Sequence, residues 1–346
     1  MLKRTMLLLV VTAIVLTALI GCTPRQTNTG KGEVVVYSAR NESFVLPLLN
    51  SFEQQTGIKV RLLTGNETLV NKILEERNNV QADVFLSNDA GALEYLRLAE
   101  ALSSNQSPAL KIIDETYRAD DGSWVGLSAR TRVLIYNKDL ISEEEMPKTL
   151  WELTDPKWSG QFMITRGGNG SMVAHVAALR AVWGDDKTTE WIGAVRKNAG
   201  AVVNGHGDIR RSVGAGEYAF GLVNNYYFHQ QLSEPTNNNV GAIYPDQGEQ
   251  GIGAFVNAAG VGLLNGGPNR SNAVALIDFL LQPDQQRAFA YTSMEVPLNP
   301  SVESNPIARP ISEYTTMAVR LQDIGAMWAD AKALIERGGL DLDLGQ

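Results

Sequence analysis

The stretch Asn224-Asn225-Tyr226-Tyr227-Phe228-His229 sets two adjacent phenols between side-chain amides and an imidazole. A phenol has an ordinary pKa of about 10, and once ionised its oxygen is a hard donor. Ionisation is favoured beside a positive charge. A small trivalent cation such as Fe(III) is strong enough to hold two phenolates near neutral pH. In a regular strand successive side chains point to opposite faces, so both phenols reach one target only if the chain leaves strand geometry here. The preceding run Tyr218-Ala219-Phe220-Gly221-Leu222-Val223 reads as a short buried strand. The pair then lies just past a strand's carboxyl end, where open α/β sheets bind ligands. Two half-buried aromatics at a sheet edge would fit the same two residues, and the pair by itself does not choose.

Other reactive residue types are sparse. The chain contains no Gly-x-Ser-x-Gly elbow, no His-Glu-x-x-His and no P-loop. His175, His206 and His229 are too widely spaced for a zinc pattern. His175 falls in a helical stretch as a packed or surface residue. His206 lies between two glycines, which predicts a turn histidine, with a cleft-facing role as the alternative. His229 reads as a support for the tyrosine segment or its cap. The turn Arg166-Gly167-Gly168-Asn169-Gly170-Ser171 joins a strand at 162–165 to a helix predicted from 172 to 183. A strand-loop-helix of this kind suits anion capture, because free backbone N–H groups point outward. Glycine turns before helices are common, so that signal is weak alone. The pattern favours binding over catalysis.

Strands and helices alternate around these residues. Apolar or β-branched runs at 33–38, 58–63 and 82–87 predict strands. Between and after them, helical spacing predicts helices at 44–57, 68–77 and 90–98. Pro47 predicts that the first regular helix begins near that residue, and Gly57 stops it. This alternation implies a doubly wound sheet. Further strands are expected at 132–136 and 258–264, a loop-like segment at 153–160, and helices at 188–198, 208–214, 272–281 and 283–291, with a mostly helical tail over 311–337.

At 346 residues the chain is long enough for two lobes. A hydrophobic content of 44% and charged content of 20% fit a soluble globular protein, and a net charge of −8 carries no nucleic-acid footprint. Lys3 and Arg4 precede an apolar run from Met6 to Ile20, the form of a secretory signal. The run is short for a spanning helix. It ends in Leu19-Ile20-Gly21-Cys22, which resembles a lipoprotein lipobox. The expected organisation is a signal peptide over 1–21 and a lipidated Cys22 with a polar tether over 22–32, outside the cytoplasmic membrane. Cys22 is the sole cysteine, so no internal disulfide forms.

Taken in order, the blocks Val36-Tyr37-Ser38-Ala39-Arg40, Ala82-Asp83-Val84-Phe85, Leu127-Ser128-Ala129-Arg130-Thr131-Arg132-Val133, Asp155-Pro156-Lys157-Trp158, Asn224-Asn225-Tyr226-Tyr227 and Val296-Pro297-Leu298-Asn299-Pro300 resemble the bacterial periplasmic ferric-iron-binding proteins. These are substrate-binding subunits of iron ABC transporters, and the resemblance covers nearly all of the chain after the signal. It implies an α/β, two-lobed type II periplasmic-binding fold, each lobe a mixed sheet flanked by helices, with ligand in the cleft and a hinge between. The implied lobes are 33–130 with 258–307, and 131–257 with 308–346.

The implied function is capture of Fe(III) by Tyr226 and Tyr227, completed by a synergistic phosphate or carbonate. Asn169, Gly170 and Ser171 match the family's anion loop, Arg130 and Arg166 stand where relatives place anion-facing arginines, and Asn224 joins them. The implied partners are ABC permease and ATPase subunits, with a monomer held near them by its lipid anchor. The chain also departs from the family. Asn41 stands where many relatives have histidine, Asn88 where a glutamate ligand is common, and Met172 near the place of a further tyrosine. Glu42 and Asp89 are candidate replacement oxygen ligands, or else acids at helix starts. These departures leave a second reading open, in which the cleft takes another small anionic solute such as a phosphonate and the tyrosines hydrogen-bond it. An enzyme or a sensor on the same fold is a third.

Overall fold

The computed structural model describes residues 32–65 and 68–340. The expected signal peptide, Cys22 and the tether up to residue 31 lie outside the described residues, as does the tail 341–346. Among the described residues no helix is long and apolar enough to cross a membrane.

The first third follows the alternation read from the sequence. Strand β1 (Glu33–Ser38) leads to helix α1 (Glu42–Thr56), then come β2 (Lys59–Thr64), α2 (Thr68–Glu75), β3 (Val84–Ser87) and α3 (Ala90–Leu98). β1 lies between β2 and β3, parallel to both. α1 buries Val45, Leu48, Leu49 and Phe52 as one stripe against the sheet. It begins at Glu42, earlier than Pro47 suggested. Asn41 caps it, its Oδ1 accepting from the Ser43 N–H at 3.0 Å, so the first turn holds although Pro47 supplies no N–H to the turn before it. Gly57, at φ +74°, closes the helix in the left-handed conformation.

Next comes β4 (Trp124–Asn137), fourteen residues buried throughout. The predicted strand at 132–136 is only its second half. After it run β5 (Phe162–Thr165), α4 (Gly170–Trp183), α5 (Asp185–Asn198), β6 (Ala201–Val203), α6 (His206–Gly214), β7 (Phe220–Asn224), α7 (Asn225–Leu232), β8 (Val240–Ile243), β9 (Val256–Leu263), α8 (Arg270–Leu280), α9 (Pro283–Ser293), β10 (Val296–Pro297), α10 (Leu321–Ala326) and α11 (Trp328–Arg337). The segment expected to be loop-like at 153–160 contains two short 3₁₀ turns instead.

The strand order is β2-β1-β3-β9-β4-β7-β5-β6, with β8 and β10 also paired to β4. The sheet is mixed. β9 enters antiparallel between β3 and β4, which interrupts the doubly wound pattern of the first units. β4 pairs antiparallel with β9 through Thr131 and with β7 from Arg132 onward. It therefore belongs to two arrays, and a small apolar cluster of Val133, Ile135, Met163, Ile209, Val213, Val223 and Val240 covers one side of the second. Near the C-terminus α10 packs on α3 while α11 packs on α4, so the tail touches both arrays.

Candidate functional site

β7 ends at Asn224 and α7 begins at Asn225. Tyr226 and Tyr227 thus occupy the first turn of a helix, not a loop. Neighbouring side chains on a helix diverge by about 100°, against a half-turn on a strand, and this lets both rings face one side. Their centroids lie 4.4 Å apart at 33°. Tyr226 is half-buried as a residue, but its phenol end is enclosed. Burial is the main cause that raises its pKa well above the ordinary phenol value, negative charge on Tyr227 adds to the rise, and the Arg130 guanidinium opposes it.

Tyr227 stacks on His206, with centroids 5.1 Å apart at 22°. His206 is the first residue of α6 and is buried, which overturns the reading of a turn histidine. Its Nδ1 accepts the Asn224 N–H at 2.9 Å, and Arg132 Nη1 lies 2.9 Å from its Nε2. Burial, followed by the charges of Arg132 and Arg130, pushes its pKa well below the ordinary histidine value, so the ring is neutral near pH 7. His229 is buried beside Phe228, with Nδ1 3.0 Å from the Met294 carbonyl. His175 is a packed residue, fully buried and stacked on Phe255.

Asn224 joins three elements. Its Oδ1 accepts from Arg132 Nη1 at 3.1 Å, its Nδ2 donates to Ser171 Oγ at 3.3 Å, and its N–H meets His206. Ser171 lies in the first turn of α4, which begins at Gly170 rather than 172. Asn169 caps that helix. Its Oδ1 accepts the Ser171 N–H at 3.0 Å and its Nδ2 donates to the Asn204 carbonyl at 3.0 Å. Met172 and Val173 also donate their N–H groups to the Asn169 carbonyl, at 2.8 and 3.0 Å, so what favours an anion here is the positive end of the helix dipole rather than a row of free N–H groups. Through the Asn224–Ser171 bond the structure joins the turn that carries Tyr226 and Tyr227 to the first turn of α4 at Asn169, Gly170 and Ser171. Arg166 follows β5 half-buried at the start of the same turn.

The buried charges are unequal. Arg130 Nη2 donates to Asp89 Oδ2 at 3.3 Å and its Nη1 is 3.9 Å from Glu295 Oε1. Arg40 grips Glu295 with two bonds of 3.1 Å. Among the described residues Arg132 has no carboxylate partner, and its Nε and Nη2 are buried without a hydrogen bond. Burial lowers its pKa, and negative charge on Tyr226 and Tyr227 acts to restore it. Among the described residues this cluster sets three buried guanidiniums against two buried carboxylates. Such a surplus favours ionised phenols or a bound anion.

Asp89 is engaged elsewhere. It caps α3, with Oδ1 accepting the Gly91 N–H at 2.7 Å, and Oδ2 accepts from Asn257 at 2.6 Å as well as from Arg130. Burial raises its pKa and Arg130 opposes the rise. Glu42 is exposed in the first turn of α1, and no hydrogen bond or ion pair among the described residues ties it to the tyrosines. Asn88 joins the ends of β1 and β3, donating to the Ala39 carbonyl at 2.6 Å and accepting from Arg40 at 3.2 Å. Met172 is buried in α4. No group of three or more His, Cys, Asp or Glu able to hold a metal is found among the described residues.

Sequence reasoning did not place Arg132 or Glu295 in this site, and it offered a cleft-facing His206 only as the alternative to a turn histidine. One signal was available: Arg130 and Arg132 stand two apart on a strand, so they share a face. Glu295 carried none, because it meets Arg40 and Arg130 only through the tertiary fold.

A model of the bacterial extracellular solute-binding protein family matches residues 48–318. The chain is 31% identical over 316 residues to iron uptake protein A1 of Synechocystis, covering 89% of this chain and 87% of that protein. It is 29% identical over 283 residues to the Fe(3+)-binding periplasmic protein of Serratia marcescens, covering 81% and 83%. Among solved structures, Trichodesmium FutA (IdiA) in complex with iron and citrate superposes with a TM-score of 0.82 at 28% identity, over 90% of this chain and all of that one. The fold is that of the two-lobed periplasmic binding proteins.

Proposed function

The chain belongs to the bacterial extracellular solute-binding proteins, and from that premise we propose that it captures Fe(III) through Tyr226 and Tyr227 and delivers it to an ABC permease and its ATPase. The observation that carries this reading is the pair of rings on the first turn of α7, 4.4 Å apart and beside an arginine without a carboxylate partner. The iron-binding names of its relatives support the same cargo. An anion completes the shell. Phosphate or carbonate fits the first turn of α4, where Asn169, Gly170, Ser171 and Asn224 meet and Arg130 and Arg166 supply positive charge. Of the two candidate carboxylates, Glu42 is the one left to add an oxygen, because Asp89 is committed to Arg130, Asn257 and the cap of α3.

The work of the site is binding, not turnover. Iron displaces the phenol protons, the lobes close, and opening or reprotonation releases the ion. The lobes we assign are 33–130 with 258–307 and 131–257 with 308–346. The switch of β4 from β9 to β7 at residues 131 and 132 supports the boundary. A lipid on Cys22 would keep a monomer on the outer face of the cytoplasmic membrane, near its permease.

Ferric citrate added to the purified protein is expected to produce a visible phenolate-to-iron charge-transfer band, and Tyr227→Phe is expected to abolish it. Persistence of the band and of the affinity in that variant would refute iron binding through the pair. Metal analysis of protein purified without added iron provides an independent check. A metal-free protein that instead binds a phosphonate, with affinity unchanged by Tyr227→Phe, would favour the second reading.

A further inference from the structure

β4 changes partner in mid-course, and one backbone group is left over at the change. Through Thr131 the strand pairs with β9, and from Arg132 it pairs with β7. β7 ends at Asn224, opposite Arg132, so the strand that would face the Thr131 N–H has already become helix α7. A buried N–H without a partner is costly. Asn225, the first residue of α7 and fully buried, fills the place: its Oδ1 accepts the Thr131 N–H at 3.0 Å.

The same threonine is held from a third side. Its Oγ1 is 2.6 Å from the Tyr314 hydroxyl. Tyr314 precedes a short backbone link in which Ala254 donates to the Thr315 carbonyl at 2.9 Å and Met317 donates to the Ala254 carbonyl at 3.1 Å. Tyr314 packs on Tyr244 with centroids 4.5 Å apart, and the Arg309 guanidinium lies over both rings. Asn225 Nδ2 is buried without a hydrogen-bond partner among the described residues. Three passes of the chain, at residues 131, 254–256 and 314–317, thus meet where Asn225 attaches the tyrosine-bearing turn.

We propose that Asn225 is a positioning residue: its bond to Thr131 ties the first turn of α7 to the point where the chain crosses between the lobes, so the two phenols move with the hinge. This rests on the iron reading for its consequence but not for its geometry. Tyr226 is the next residue in the chain, so a shift of one peptide at Asn225 is transmitted directly to the phenol pair. Asn225→Ala removes the acceptor. Asn225→Asp keeps a carbonyl oxygen as acceptor at the same reach, because a carboxyl buried without a cation takes up a proton.

The test uses the iron-free protein first. Amide hydrogen exchange in Asn225→Ala is expected to rise about tenfold at Thr131 and, jointly, in residues 225–230, with Asn225→Asp restoring both. In iron-loaded protein the alanine variant is expected to shift the charge-transfer band and to lose iron to EDTA about tenfold faster, in line with an outer-shell residue, again with rescue by aspartate. A rise confined to Thr131, with residues 225–230 and the band unchanged, would overturn the proposal. So would an aspartate variant that behaves like alanine. If Asn225→Ala fails to fold, Tyr314→Phe, which cuts the Thr131 Oγ1 bond, is expected to raise exchange in the same two segments, and no rise in either overturns the proposal. A wild-type protein with no band would sink the iron reading, and the exchange experiment would still decide the role of Asn225.

Discussion

Glu295→Gln is expected to destabilise the protein far beyond an ordinary surface substitution. Glu295 is 2% exposed and receives both Arg40 bonds at 3.1 Å, the Ser128 hydroxyl, and the Ser293 hydroxyl at 3.3 Å, with Arg130 Nη1 at 3.9 Å. Glutamine keeps the shape but removes the charge and turns one acceptor into a donor that faces the Arg40 N–H groups. Arg40 is 4% exposed, so the guanidinium cannot escape to water. Breaking a buried pair by removing one partner costs about 3–5 kcal/mol, a large share of the roughly 5–15 kcal/mol that holds a typical protein folded. The corresponding fall in Tm is on the order of 10 °C. Urea unfolding measures the effect as a lower midpoint at an unchanged slope. The double replacement Arg40→Met with Glu295→Leu is expected to recover most of the loss, because a well-packed apolar pair replaces a buried ion pair at little cost. A Glu295→Gln variant within about 1 kcal/mol of wild type, the range of an exposed pair, would refute the view that this carboxylate neutralises the arginines.

Four further outcomes follow from the same geometry. The Tyr226 phenol is raised above its ordinary value by burial, so it carries its proton at neutral pH and iron must expel it; apparent affinity should therefore rise about tenfold per pH unit for each proton displaced, and a flat profile between pH 6 and 8 in a chelator competition would contradict ligation by Tyr226. The same raised pKa means that the iron-free protein has the phenol's full contribution to stability below about pH 10, the unfolded value, and loses it as the pH rises further, which alkaline unfolding can follow. Arg132→Met removes a buried cation that lacks a carboxylate partner; stability is expected to stay within about 1 kcal/mol of wild type in urea unfolding, while iron affinity falls at least about tenfold, as for an outer-shell residue. Gly91→Ala would place a methyl group 2.5 Å from the Trp328 ring and 2.9 Å from Asp89 Oδ1, and the overpacking is expected to cost about 1–3 kcal/mol, with a change in tryptophan emission as α11 is pushed from α3.

Much of the fold was legible because its first units bury one clear face each. Val34 and Val36 on β1, and Val45, Leu48, Leu49 and Phe52 on α1, announce their elements by spacing alone. Pro47 misled because a capped first turn outweighed the proline rule: Asn41 bonds the Ser43 N–H and holds the helix ahead of it. The length of β4 was hidden because it is buried on both sides, and its first half, with Gly126, Ser128 and Arg130, lacks the continuous apolar run that marks such a strand.

The residue types of the site could be read in one dimension. Two adjacent tyrosines, the glycine turn before a helix and the motif blocks around them were enough to point to a hard cation with an anion beside it. Their arrangement could not. That the tyrosines lie in the first turn of a helix depends on β7 ending at Asn224, against β4. That Asp89 is taken by Arg130 and Asn257, that His206 lies under Tyr227, and that Glu295 balances Arg40 all join residues far apart in the chain. Such pairings arise when strands register and burial makes each unpaired charge expensive, and local sequence carries neither term.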